Sequence, residues 1–243
     1  MDGRARPRRV EEREDVLELH GAGELLDVVS RECTAAFCRL VFVAGRLWGV
    51  PDPESRASAG VGAFNLVRRA ALDRTPGLEW LRLEVGDDMA LGQMLKRSGA
   101  RSAVANGRGL VGLRLYRTWR EMARSVEKGT TAFEFSLTKG LVASAVLLLL
   151  ELAPVLALAL GGGALPRALG AAGLALSVGS ALVVNRFMGH ATLPSLLAPL
   201  GAVAMTLLAA RGVVVGAVRG GVTWRGQLYP AKALLAGRRL EFP

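Results

Sequence analysis

Glu84-Val85-Gly86-Asp87-Asp88-Met89-Ala90-Leu91-Gly92-Gln93-Met94-Leu95-Lys96-Arg97-Ser98-Gly99 is the stretch around which the chain is read. Two adjacent carboxylates stand directly before a short run with helical patterning that stops at a glycine. One account is capping: Asp87 or Asp88 accepts free N–H groups of the first turn, and Gly99 supplies the left-handed position after the last. The other is chemical. A carboxylate at a helix N-terminus stays ionised and can take a proton from an acceptor hydroxyl. Spacing alone leaves both open.

Working outward, the 243 residues allow one large domain or two small ones. Charge is concentrated in residues 1–139, whereas 140–218 are nearly uncharged, which predicts a soluble part followed by a membrane part. Net charge is +10, and only Lys96, Lys128, Lys139 and Lys232 of the 31 basic residues are lysines. A basic chain with apolar spans is expected to face anionic lipid or a phosphate-bearing substrate. No helix-turn-helix, zinc-finger or RNA-recognition pattern is present, so a nucleic-acid partner is not expected. Cys33 and Cys38 are the only cysteines, and His20 and His190 the only histidines. Neither pair has metal-ligand spacing, so no metal site is assigned to them.

Met1–Asp15 mixes arginine and acid without an apolar core and is not a signal peptide. It reads as a lead-in, or as the point where a longer protein has been cut. Residues 16–50 read as helix with an apolar face. Arg39 and Arg46 argue against a span there and for an amphipathic helix against the domain or at the bilayer surface. After Pro51-Asp52-Pro53, the run Gly60-Val61-Gly62 reads either as a weak phosphate loop or as a tight turn into an apolar strand over Ala63–Val67. Leu110–Leu115 alternates like a half-buried strand. Thr118-Trp119-Arg120-Glu121 matches a capping box. The helix behind it sets Trp119, Met122, Val126 and Phe133 opposite Arg120, Arg124, Glu127 and Lys128, as in a helix lying in a membrane interface or packed on the domain.

Three apolar segments follow: Gly140–Pro166, Ala168–Val184 and Ala191–Ala210, the last extending toward Val218. Gly173, Ser177 and Ala181 form a small-residue stripe for close packing. Glu151 is the one intramembrane acid, placed to bind a lipid headgroup, to sit at a helix end or to bond a neighbour. The basic tail Arg219–Pro243 is expected on the cytoplasmic side. Three full crossings would put that tail opposite a cytoplasmic soluble part, so one segment is expected not to cross. The start of the third, with Pro194 and Pro199, is the candidate.

Four features in order resemble the C-terminal part of membrane-bound family 2 glycosyltransferases, nearest the hopene-associated and ceramide-glucosyltransferase-like branches. They are Gly60–Arg69, Asp87-Asp88-x-x-Leu91-Gly92, the Tyr116–Lys128 helix, and Trp224-Arg225-Gly226-x-x-Tyr229 after membrane helices. The resemblance covers about residue 35 to the end. It implies an α/β fold class: part of a GT-A-like nucleotide-diphospho-sugar transferase domain, followed by an α-helical membrane domain. The activity it implies is inverting transfer from a nucleotide-sugar donor to a lipid or polyisoprenoid-type acceptor. Asp88 would be the base with Asp87 in support. Arg124 and Lys128 would lie near the departing diphosphate, where cations stabilise the leaving group. Gly60, Gly62 and Asn65 would line the substrate cleft, with Trp224 and Arg225 also on the substrate side. The family's Gln-x-x-Arg-Trp element falls near Ser125–Gly129 and keeps only its cationic position, as Lys128. A divalent metal, Mg or Mn, is expected of the family, but its Asp-x-Asp ligands are absent from this chain.

The expected layout is a lead-in over 1–34, the acceptor half of the transferase with an interfacial helix over 35–139, about three membrane helices over 140–218 and the basic tail over 219–243. The expected location is the inner (plasma) membrane, multi-pass, with the soluble part cytoplasmic. A partner chain supplying the donor half is one way to complete such an enzyme. The rival expectation is a non-catalytic membrane protein, either a degenerate paralogue or an assembly partner.

Overall fold

A computed structural model describes residues 16–62, 64–107, 110, 116 and 118–241, with side chains of the first helix described from residue 27. The chain is predominantly helical. Its α-helices are α1 (Val16–Ala44), α2 (Arg69–Leu72), α3 (Asp87–Arg97), α4 (Trp119–Val126), α5 (Leu137–Leu160), α6 (Ala164–Met188), α7 (Ala198–Arg219) and α8 (Ala231–Ala236). Short 3₁₀ turns link several of them. Among the described residues the only strands are β1 (Gly221–Trp224) and β2 (Gln227–Pro230), an antiparallel pair.

This overturns the α/β expectation, since no GT-A-like sheet is present among the described residues. The run expected as a strand at Ala63–Val67 is irregular from Phe64 onward. A short apolar run becomes a strand only where a neighbour takes up its backbone groups, and among the described residues no strand lies beside it. Of the Leu110–Leu115 strand, only Leu110 lies within the described residues, in a turn.

Helices α5, α6 and the Leu193–Arg219 segment are each long and apolar enough to cross a membrane, with mostly unburied spans. Leu149, Leu150, Leu160, Leu176 and Val183 all point outward. Apolar exposure on this scale is far beyond that of a soluble monomer and marks a lipid-facing surface. Where α5 meets α6, a Cβ at Gly170 would strike the backbone of α5, and one at Gly173 would strike Pro154. The expected small-residue stripe does pack closely. Ser177 then donates to Glu151 Oε2 at 3.3 Å, and Ala181 is fully buried.

Helix α1 lies against both α6 and α7. Glu32, almost wholly buried, accepts from Asn185 Nδ2 at 2.8 Å, and Gly201 of α7 approaches so closely that a Cβ would meet Glu32. Its other face leaves Phe37, Leu40 and Val43 exposed, and Phe42 packs on Trp48 with ring centroids 5.7 Å apart. An apolar outer face continuous with α5–α7 makes α1 a partner of the membrane helices.

Candidate functional site

The helix expected after Asp87-Asp88 is α3, and it ends as expected, with Ser98 as C-cap and Gly99 at φ +78°. The capping account is realised in part. Gly86 occupies the N-cap, so both aspartates fall inside the first turn, where they complement the helix dipole. Asp87 Oδ1 accepts from Asp88 N at 3.0 Å, and Asp88 Oδ1 from Met89 N at 2.8 Å.

The second oxygen of Asp88 reaches outside the helix. Asp88 Oδ2 accepts the Gly62 N–H at 2.6 Å. Gly60 is pressed onto α3 so tightly that a Cβ there would collide with the Asp88 carbonyl. Gly92, one turn along, meets the Ala59 backbone in the same way. Asn65 Oδ1 accepts Val61 N at 2.9 Å and closes the loop. The glycines therefore serve a tight turn held against the start of α3.

Lys128 comes to this cluster from the 3₁₀ turn Glu127–Phe133. Its ammonium sits 3.2 Å from the Trp224 ring centroid, within the range of a cation–π contact. Burial lowers the Lys128 pKa from the ordinary 10.5, and the charges of Asp87 and Asp88 act to raise it. Trp224 precedes the β1–β2 turn at Arg225-Gly226, whose two positive φ angles give the type I′ geometry favoured in tight hairpins. Arg225 lies 5.8 Å from the same ring. Asp87, exposed, also edges an open cleft of about 580 Å³ with Leu78, Glu79, Leu81 and Arg82.

The structure thus gathers Gly60, Gly62, Asn65, Asp87, Asp88, Lys128, Trp224 and Arg225 into one region from four separate stretches of chain. Arg124 is not drawn in. It lies exposed in the last turn of α4, and among the described residues it bonds none of these groups. Of the expected capping box, the Thr118 half is formed: its Oγ1 accepts Glu121 N at 3.2 Å.

Glu127 also departs from expectation. Helical spacing sets it beside Arg120, Arg124 and Lys128, yet it is buried and bonded to Arg211 at 2.8 Å and Arg219 at 3.0 Å. The α-helix ends at Val126 and the chain tightens to 3₁₀ there, which turns Glu127 toward α7. Gly212 and Gly216 leave the room: a Cβ at either would crowd Glu127 or Thr130.

Two further anchors carry no sequence motif. Glu84 Oε2 accepts the backbone N–H groups of Arg239 and of Leu240, and its Oε1 accepts Gly86 N at 2.9 Å. Gln93 donates to Glu241 O at 2.6 Å, and Arg97 pairs with the Glu241 carboxylate at the same distance. Both carboxylate and amide hold the C-terminal tail onto α3.

No group of three His, Cys, Asp or Glu side chains that would hold a metal occurs among the described residues. The Asp87–Asp88 carboxylates are engaged with the α3 N-terminus and Gly62, so among the described residues they do not form the ligand set that the expected Mg or Mn would need. No protein-family profile, curated protein or solved structure matches this chain.

Proposed function

We propose that this chain is the acceptor-side and membrane-anchoring part of an inverting glycosyltransferase that acts on a lipid-type acceptor. The observation that carries the reading is that Lys128, stacked on Trp224, lies within electrostatic reach of Asp87 and Asp88, with Asp88 Oδ2 held by Gly62 N–H at 2.6 Å. A fixed carboxylate suits removal of a proton from an acceptor hydroxyl as it attacks the anomeric carbon. A nearby ammonium suits the negative charge that builds on a departing diphosphate. An exposed tryptophan beside it offers an apolar platform on which a sugar ring can stack. The nucleotide-sugar donor would be held largely by a partner chain.

The soluble part and the tail are proposed to lie together on the cytoplasmic face of the plasma membrane, as the arginine-rich tail favours. The test is transfer of radiolabelled sugar from UDP-glucose, UDP-N-acetylglucosamine or GDP-mannose to extractable lipid, in membranes containing the chain and its co-purifying proteins. Asp88→Asn is expected to reduce transfer by about a hundredfold or more. Unchanged transfer would sink the assignment of Asp88. A non-catalytic role as an assembly partner is favoured by one finding, the absence of a nucleotide-binding type of sheet among the described residues. Membranes that transfer no sugar from any of these donors, with wild-type chain present, would decide for it.

A further inference from the structure

Trp80, Glu84, Gln93 and Arg97, from α3 and the chain just ahead of it, hold three consecutive residues of the tail, Arg239, Leu240 and Glu241. The grip is mostly on main chain. Glu84 Oε2 accepts the N–H groups of Arg239 and Leu240, the second at 2.8 Å. The Gln93 amide meets both polar backbone groups of Glu241: its Oε1 accepts the N–H at 3.1 Å, and its Nε2 donates to the C=O at 2.6 Å. Arg239 Nε donates to Trp80 O at 3.3 Å, and the guanidinium stands 5.6 Å from the centroid of the Trp80 ring. Arg97 pairs with the Glu241 carboxylate at 2.6 Å. A Cβ on Gly86 would come within 3.1 Å of Leu240 Cδ2, so the leucine lies against bare backbone.

Taking up successive main-chain groups is how proteins bind a peptide segment: the backbone bonds give affinity and a few side chains give specificity. Two successive N–H groups converging on one carboxylate oxygen make an anion-binding nest. An amide that meets the N–H and C=O of one residue offers what a neighbouring strand would. The segment has little support of its own. Helix α8 ends with Gly237 as C-cap, and residues 238–241 carry no regular secondary structure. Among the described residues, Arg239–Glu241 make no backbone–backbone hydrogen bond. The side chains of Arg97 and Glu241 keep 48% and 73% of their area exposed. An exposed segment held by a few bonds opens at far lower free energy than the whole chain unfolds.

We propose that Trp80, Glu84, Gln93 and Arg97 form a peptide-binding site whose ligand is the chain's own Arg239–Glu241, bound in cis and released while the helices stay folded. The class of ligand is a short peptide that offers two successive N–H groups, a leucine and then an acid. Glu84 ties the site to the start of α3, because its other oxygen accepts the N–H of Gly86, the N-cap ahead of Asp87-Asp88, at 2.9 Å. The site is independent of sugar transfer.

The experiment uses the full chain purified in detergent, with amide exchange followed by mass spectrometry. The tail amides are expected to exchange by local opening while α7 stays protected. Exchange of the tail only together with α7 would make it part of the fold and overturn the proposal. Exchange that slows as chain concentration rises would assign the occupant to a second copy and overturn the cis reading. Glu84→Gln, which weakens two charge-assisted bonds, should speed tail exchange about tenfold, and an unchanged rate would count against the site. Leu240→Pro removes one of the gripped N–H groups and empties the site in a chain of full length. A fluorescent peptide of residues 238–243, read by anisotropy, should bind a folded Leu240→Pro chain at least about tenfold more tightly than wild type, whose own tail competes at high effective concentration. The same peptide N-methylated at the leucine lacks that donor and should not bind. Equal binding of the methylated peptide, or no gain in Leu240→Pro, would overturn the proposal. Exchange in the wild-type chain decides the matter even if Leu240→Pro misfolds.

Discussion

Gly62 N–H donates to Asp88 Oδ2 at 2.6 Å, a bond between a loop and a helix start that are 26 residues apart. Beneath it, Gly60 packs on the Asp88 carbonyl with no room for a methyl group. Two substitutions separate the bond from the packing. Asp88→Asn keeps the volume and removes the charge on the acceptor, so the Gly62 amide should exchange with deuterium about tenfold faster, measured by mass spectrometry. Gly60→Ala forces the loop off α3 and should destabilise by about 1–3 kcal/mol in chemical unfolding. Gly129, where a Cβ meets nothing within 4 Å, is the control, and its alanine variant should be close to neutral.

Glu127 is buried against two arginines of α7 that are themselves part exposed, at 50% and 39% of their side-chain area. Removing a buried partner leaves uncompensated charge, at about 3–5 kcal/mol in a fully buried pair. Solvent access at the arginines reduces this, and Glu127→Ala is expected to cost about 1–3 kcal/mol. Thermal unfolding reads the loss. Arg211→Ala and Arg219→Ala should each cost less than Glu127→Ala, because either leaves the other arginine paired.

The C-terminal stop of α3, the Thr118 cap of α4, the apolar lengths of α5–α7 and the α6 stripe are legible, because each depends on residues near in sequence, whereas the N-cap of α3 falls on Gly86 rather than on either aspartate. Glu127 is not legible in this way. Its helical spacing set it beside Arg120 and Arg124, and only the switch to 3₁₀ geometry and arginines 84 and 92 residues away reveal it as buried. Ala63–Val67 misleads for a related reason: β structure depends on a distant partner strand, and none occurs beside it among the described residues. The site was half legible. Asp88 and Lys128 stood out by type, whereas Glu84 acts through a contact 155 residues away that no local pattern encodes.

Lys128 has a pKa below the ordinary 10.5, set first by burial and opposed by Asp87 and Asp88. The sign follows directly. A lysine whose folded pKa is depressed binds fewer protons than its unfolded form between the two values, so its contribution to stability rises with pH across that window. Its amine is also neutral, and acylable, at lower pH than an ordinary lysine. Labelling with acetic anhydride across a pH series, read by peptide mass spectrometry, should give Lys128 a midpoint below 10.5. Asp88→Asn removes an anion that favours the charged form and should move the midpoint further down. An upward movement would contradict the electrostatic coupling of the two residues.

The tail bonds to Glu84, Gln93 and Arg97, so tail and soluble segment share one side of any membrane. Three complete crossings between them are therefore excluded. Asn106 donates to Phe187 O at 2.7 Å, which brings the end of α6 back to that same segment. The last turns of α7 lie beside Glu127, ahead of the start of α5, through Arg211 and Arg219. What remains of α7 before Arg211 is about 13 residues, or about 20 Å, against a hydrocarbon core of about 30 Å. Helix α5, at 24 residues, is about 36 Å long and sufficient. We therefore expect α5 and α6 to cross and α7 to enter and leave on the cytoplasmic side. Single cysteines at Gly162, Thr192 and Gln227, in a chain lacking Cys33 and Cys38, read this out with a membrane-impermeant maleimide. Position 162 should label only from outside the cell, and positions 192 and 227 only in inside-out vesicles. Labelling of 192 from outside while 227 labels from within would mean that α7 crosses and α6 does not.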